Sequence, residues 1–394
     1  MGWQRTSVME EKLKFIRAWS SNAYSVSDLC LSFGISRQTG HRLIRRYKEE
    51  GMVCFFSGSK APNRIPHKTS AKVEEAIISL RKKHPRWGAR KLQKLLEQEI
   101  SASEIPAEST INKILSRNGL VIKRRKRPAK LASEYPDYES DSCNEIWSAD
   151  YKGKFKMRNG RYCYPLTLQD KKSRFILAAD GHYHPDYASA KRAYISAFRE
   201  NGLPQYIHSD NGVPFAHAQS LCRYSKLCYW LIDQGIQPLF SDPGSPQQNG
   251  KHERMHRDLK AYCTRPASTT LSAQQRSLDS FVKEYNEVRP HEALEMETPA
   301  SVYSPSSRAY RPRVGVYDYP GDFKVLKVMK SGALRWGSYH WVYISTAARG
   351  RYIGLEELGN GIWKVYYRNV LLGYMDEKLI TQKEQYLKIN KKIV

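Results

Sequence analysis

Apolar residues recur at helical spacing through the first 120 residues, and strand-like alternation takes over beyond residue 146. Leu13, Ile16 and Trp19 share one face of a first helix, and Val26, Leu29, Cys30 and Phe33 line a second. Leu43, Ile44 and Tyr47 mark a third, which Ser36 would cap and Gly51 would close. Three short helices over residues 8–51, with a turn at Gly34-Ile35-Ser36, make a helix-turn-helix whose last helix suits a DNA major groove. Its outward residues Arg37, Gln38, His41, Arg42 and Arg45 are donors for base edges and phosphates. A plain three-helix bundle with a charged face would show the same pattern.

The stretch SGSKAPNRIPHK, residues 57–68, reads as a linker. After it, Val73, Ala76, Ile77 and Leu80 follow the i, i+3, i+4, i+7 rule, and Leu92, Leu95 and Leu96 form a second stripe. A further helix from Pro106 to Gly119 presents Ile111, Ile114 and Leu115. The basic run KRRKRPAK (123–130), including Lys123, Arg124 and Arg125, suits a phosphate-binding linker. From Trp147 three antiparallel strands are expected: IWSAD, then GKFKM with an Asn159-Gly160 turn leading into RYCYPLTLQ, then RFILAAD. Helices at 187–200, 219–234 and from about Gln247 alternate with the strands LPQYI and IQPLF, which predicts a mixed sheet covered by helices. Short glycine-punctuated runs over 322–380 predict a small all-β barrel, which could touch DNA or serve as an oligomerisation or packing module.

Charge sharpens this picture. The chain has 394 residues, 40% hydrophobic and 26% charged, with a formal net charge of +26. Residues 1–130 hold 28 Lys/Arg against 11 Asp/Glu, residues 131–310 hold 22 against 21, and residues 311–394 hold 15 against 7. Two basic ends around a balanced middle point to a polyanion partner, bound through phosphate neutralisation. Seven irregularly spaced cysteines suit reduced thiols. With no membrane-length apolar run and no apolar signal core at the N-terminus, a cytoplasmic, nucleoid-associated protein is expected.

Within the balanced middle, three carboxylates stand at element ends. Asp150 ends the first strand, Asp210 in HSDNG ends a later one, and Glu253 sits one turn into the helix after SPQQNG. If the two strands are neighbours and the helix docks beside them, the three meet, and close carboxylates are stable only around hard divalent cations. His256, Arg257 and Lys260, at i+3, i+4 and i+7 from Glu253, are expected on its helical face, with Arg257 and Lys260 as a track for a DNA strand. The turn at 246–250 would be a loop that closes on substrate. Each acid also has an ordinary explanation: a turn former for Asp210, a surface ion pair for Glu253, a strand end for Asp150. Among other acids, Asp170 is explained by its turn, while Asp180 could reach the same sheet edge. Cys222, Cys228 and His217 lack zinc-site spacing. Neither a phosphate-cradling Gly-Lys-Ser/Thr loop nor a Gly-x-Ser-x-Gly elbow occurs.

WSADYKGKF, HSDNGVPF, GSPQQNGKHERMHRDLK and FVKEYNEVRPHEAL…TPASVY, in that order, resemble the integrase-type core of bacterial insertion-sequence transposases, in the retroviral-integrase superfamily with its Asp-Asp-Glu triad. The resemblance covers roughly residues 140–305. It implies that Asp150, Asp210 and Glu253 take the triad positions and hold two Mg²⁺ or Mn²⁺ ions. Lys260 matches the family's basic residue, and Asn286, Arg289, Pro290 and His291 match an element that follows the core. The 42 residues between Asp210 and Glu253 exceed the spacing common in relatives; the extra length falls in SLCRYSKLCYWLIDQG, which reads as an uninterrupted helix. The His/His/Cys/Cys zinc module of the retroviral members has no counterpart here.

A multidomain α/β chain is therefore expected. Its parts would be an N-terminal helix-turn-helix (1–56), a linker (57–67), a second helical DNA-binding module (68–122), a basic linker (123–140), an RNase H-like mixed-sheet core (141–305) and a small SH3-like β-barrel (320–382). The resemblance implies a transposase that binds terminal inverted repeats on double-stranded DNA, cuts strands and joins 3′-OH ends to target DNA. It would work as a homo-oligomer, with no membrane partner. A catalytically inactive helix-turn-helix regulator, or a nuclease without strand transfer, would share much of this sequence evidence.

Overall fold

The computed structural model describes residues 7–56, 68–121, 140–217, 223–241, 250–382 and 386–388. By contact pattern the chain divides into one compact unit up to Ser70 and a second from Ala71 onwards.

In the first unit α1 (Val8–Ser20), α2 (Val26–Ser32) and α3 (Arg37–Glu50) enclose Phe15, Ile16, Leu29, Cys30, Leu43 and Ile44. Each helix starts on a serine whose hydroxyl accepts a backbone N–H of the first turn: Ser7, Ser25 and Ser36. Gly40 lets α3 approach α2 closely, since a Cβ there would lie 2.4 Å from the Cys30 sulfur. Arg37, Gln38, His41, Arg42 and Arg45 are all exposed.

The second unit begins with α4 (Ala71–Lys83), α5 (Ala89–Leu96) and α6 (Glu108–Arg117), packed through Ile77, Leu92, Leu96, Ile111 and Leu115. His84 stacks on Trp87 and places Nδ1 2.9 Å from Glu284 of the following region, and Lys94 pairs with Glu297. These contacts seat the helical module against the sheet-bearing part of the same unit.

That part is built on β1 (Ile146–Tyr151), β2 (Phe155–Lys156), β3 (Tyr162–Asp170), β4 (Ile176–His182), β5 (Tyr206–Ser209) and β6 (Gln237–Phe240). The sheet runs β3-β1-β5-β6, with β4 on the far side of β3 and β2 also paired to β3. β3 is antiparallel to β1 and β4, whereas β1, β5 and β6 are parallel. One face of the sheet packs Trp147, Ala149 and Leu166 against α7 (Tyr187–Asn201) and α8 (Lys226–Asp233). Against the other, Ile176 and Ala179 meet Met255, Leu259, Leu278 and Phe281 of α9 (Gly250–Cys263) and α10 (Leu271–Lys283). This is the mixed sheet covered by helices that the sequence predicts.

The helix expected over 219–234 is shorter. It starts at Lys226, capped by Ser225, because Arg223 adopts a left-handed backbone (φ 54°) and Tyr224 bridges to Ala216. Residues 218–222 lie outside the described residues, as do 242–249 with the expected closing loop.

At the C-terminal end, β7 (Lys324–Lys327), β10 (Tyr352–Gly359), β11 (Ile362–Tyr367) and β12 (Val370–Asp376) form a four-stranded sheet. A three-stranded sheet joins β8 (Ala333–Trp336), β9 (His340–Tyr343) and β13 (Tyr386–Lys388). Leu334, Val342, Ile353, Leu355 and Val365 share one core with Tyr229 and Ile232 of α8. Asp233, at the end of α8, accepts from Arg351, Arg368 and Tyr367.

Candidate active site

The period of two along β1 sends Trp147 and Ala149 into the α7/α8 layer and Ser148 and Asp150 toward α9. The parallel register pairs Ala149 with Ser209, so Asp150 and Asp210 are the next residues on neighbouring strand ends. The Asp210 carboxylate is tethered in its turn by the Gly212 N–H at 3.0 Å. α9 lays His252, Met255, His256, Leu259 and Cys263 inward, and Glu253, Arg257 and Lys260 are left exposed.

A polar clamp fixes α9 to the sheet. Thr167 of β3 sits opposite Asp150 in the ladder, with its Oγ1 3.1 Å from the Asp150 carbonyl oxygen, 2.7 Å from Nε2 of His252 and 2.6 Å from Nε2 of His256. A hydroxyl has one proton to give and can accept two. All three contacts are hydrogen bonds only if Thr167 donates to the carbonyl and accepts from both ring N–H groups. The Ser148 hydroxyl, 2.7 Å from Nδ1 of His252, then donates to that nitrogen rather than to the Gln169 carbonyl 3.2 Å away and completes the pairing of His252. Burial pushes His252 down to about 3 and His256 well below the usual histidine range, so both rings are neutral and each carries one N–H.

Electrostatics single out Asp150. Burial first, then the Asp210 charge, raise its carboxyl to about 7; Glu253 adds to the rise and Lys152 opposes it. Both other acids therefore lie within electrostatic reach of Asp150, and a cation beside them would relieve the repulsion that raises its carboxyl. Carboxylate oxygens suit a hard divalent ion, so the donor chemistry fits magnesium or manganese. Asp150, His252 and His256 also bring one ligand atom each within 4.8 Å of one another.

Other sequence expectations divide. Arg257 and Lys260 do lie exposed on the glutamate's side of α9, but His256 does not join them. It stands about 60° round the helix from Glu253, toward the Met255–Leu259 stripe, and is buried. Asp170 is buried in a turn, accepting the N–H groups of Asn144 and Ser173 and the Ser173 hydroxyl. The neighbours that raise Asp180 beyond the effect of its burial are Asp279 and Glu200, not the site acids. Cys228 is packed in α8, its thiol donating to the Phe215 carbonyl. Asn286 bonds both the N–H and the carbonyl of Ile176, and Arg289 pairs with Asp258, so this segment ties β4 to α9. Lys123, Arg124 and Arg125 lie outside the described residues. Sequence reasoning missed the inward role of His252 and His256; their i, i+4 spacing on the Met255–Leu259 stripe was the available signal.

The family models that match agree with this architecture. Two integrase core domain models match residues 141–246 and 234–299, and a homeodomain-like domain model matches residues 39–115. The 39.2 kDa protein of insertion element IS476 from Xanthomonas euvesicatoria is 24% identical over 60% of this chain and 66% of its own length. The 31.7 kDa protein of insertion element IS407 from Burkholderia multivorans is 25% identical over 57% of this chain and 78% of its own. Among solved structures, the HTLV-2 integrase catalytic core domain in complex with magnesium overlays 42% of this chain at 15% identity, with a TM-score of 0.33. A retroviral-integrase-type core preceded by helix-turn-helix-like domains defines the class. Within it, the matches to integrase core models and to insertion-element proteins support a bacterial insertion-sequence transposase.

Proposed function

We propose that this protein is the DNA transposase of its own element, binding the terminal inverted repeats, cutting strands and transferring the 3′-OH ends to target DNA. The observation that supports the reading is the electrostatic influence of Asp210 and Glu253 on Asp150: Asp210 follows the paired neighbouring strand, and Glu253 is carried on a helix clamped to Thr167. Asp150, Asp210 and Glu253 would hold two Mg²⁺ or Mn²⁺ ions. When bound, such a pair activates an attacking oxygen and stabilises the leaving one. The chain itself supplies positioning. Arg257 and Lys260, exposed beside Glu253, pair with phosphates of the strand being cut. Arg37, Gln38, His41, Arg42 and Arg45 on α3 read the repeat, and Lys123, Arg124 and Arg125 bind phosphate between the modules. The domain limits given from sequence are retained in this reading, with the C-terminal strands as a small SH3-like barrel. Joining two ends calls for at least two protomers. Among the described residues no helix is long and apolar enough to cross a membrane.

The test is cleavage and joining of terminal-repeat DNA in Mg²⁺ or Mn²⁺ by Asp150→Asn, Asp210→Asn and Glu253→Gln. Each should lose both steps while still binding the ends. Retention of both steps by all three would refute the metal-triad reading. Cleavage by the wild type without joining would favour a nuclease, and end binding without cleavage an inactive regulator.

A further inference from the structure

The geometry points to His256 as a nitrogen ligand at the Asp150 metal position, an inference that rests on the carboxylate reading above. Nε2 of His256 is committed to Thr167 at 2.6 Å, and we assign the single proton of that hydroxyl to the Asp150 carbonyl, 3.1 Å away. The ring N–H is thereby placed on Nε2, so Nδ1 presents a lone pair. It does so 3.4 Å from Oδ2 of Asp150, in a site where both residues are largely shielded from water. Two acceptors facing each other at that distance need a proton or a metal ion between them. The separation lies within the roughly 4 Å span of two ligands each about 2.1 Å from one ion. His252 differs: both of its ring nitrogens are occupied, by Thr167 and Ser148, which makes it a brace rather than a donor. A ring fixed through one nitrogen by a hydrogen-bonded partner, with the other nitrogen free, is the arrangement in which protein imidazoles ligate metals. An imidazole beside carboxylates shifts preference from magnesium toward manganese and later divalent ions.

The test uses the full-length protein with ¹⁵N-labelled histidine, loaded with Mn²⁺ below one equivalent and examined by pulsed electron paramagnetic resonance. A ¹⁵N coupling to manganese is expected in the wild type. It should be absent in His256→Asn, which should also bind Mn²⁺ about tenfold or more weakly with a smaller change for Mg²⁺. Asp150→Asn should abolish binding at this position. Where His256→Asn fails to fold by circular dichroism, His256→Gln takes its place. Asp150-dependent Mn²⁺ binding with no ¹⁵N coupling overturns the nitrogen ligand and leaves the carboxylate site standing. A coupling that survives loss of His256 also overturns it, and absence of any Asp150-dependent binding removes both readings.

Discussion

Replacing Thr167 by valine exchanges a hydroxyl for a methyl on a side chain that branches at Cβ either way, so backbone preference hardly changes. What disappears is the oxygen that accepts from His252 and His256 at 2.7 and 2.6 Å. Two buried ring N–H groups are left unpaired, at about 1–3 kcal/mol each, while the added buried methyl returns roughly 1 kcal/mol. The net expectation is a loss of about 3 kcal/mol. Thr167→Ser keeps the hydroxyl and forfeits only a methyl, about 1 kcal/mol. Because the chain has more than one compact unit, a single global unfolding free energy is the wrong measure. Amide hydrogen exchange across α9 reads the local opening instead. Exchange there should quicken by a factor of roughly 150 in Thr167→Val and by less than tenfold in Thr167→Ser. Equal protection of α9 in the two variants would mean that the hydroxyl is not the clamp, and the hydrogen-bond assignment behind it would fail.

Gly40→Ala forces a methyl to within 2.4 Å of the Cys30 sulfur and 3.1 Å of Phe15. Overpacking of about 1–3 kcal/mol should appear as faster exchange in α2 and α3 with α9 unaffected. Asp233→Ala strands Arg351 and Arg368, both largely shielded, and should loosen the C-terminal sheets by about 2–4 kcal/mol; limited proteolysis should then release that region at lower protease concentration. His291 is pushed down to about 3, by burial first and then by Arg289, Lys91 and Arg174. Its folded pKa is depressed below the unfolded value near 6.5, so its contribution is complete above pH 6.5 and is lost as pH falls toward 3, by about 1.4 kcal/mol per unit. His291→Gln should remove one proton's worth of that acid sensitivity from the opening free energy read by amide exchange over residues 284–299 between pH 6 and 4; an unchanged slope would show that the ring is not held neutral.

The parts of the fold that were legible in the sequence are those that repeat a local rule. Ser36 and Gly51 bracket α3 because caps act within a turn, and β1, β3 and β4 announce themselves through β-rich runs separated by Asn159-Gly160 and Asp170–Ser173. Two features escaped for different reasons. The start of α8 is hidden in the sequence because apolar residues run through the whole of SLCRYSKLCYWLIDQG. The break depends on a tertiary bridge, Tyr224 to Ala216, that no periodicity records. The inner histidines escaped because a polar residue on an apolar stripe looks like an interruption. Only the position of Thr167, on another strand, turns His252 and His256 into a clamp. The adjacency of Asp150 and Asp210 required knowing that β5 lies beside β1, a matter of topology that neither segment encodes alone.

The shape of α8 bears on how the C-terminal sheets can be studied. Every residue from Leu227 to Ile232 is buried, so this helix has no solvent face and needs a layer on each side. Leu227, Trp230 and Leu231 meet the mixed sheet, while Tyr229 and Ile232 enter the C-terminal core. Cutting the chain before β7 would expose that second face and strip Asp233 of its three partners, weakening the layer that covers β1 and β5 from behind. Loss of activity in such a truncation would thus report on the support of Asp150 and Asp210 as much as on any DNA contact made by the strands. Charge-neutralising substitutions at exposed lysines and arginines of the C-terminal sheets leave α8 covered, and they separate the two contributions where deletion cannot.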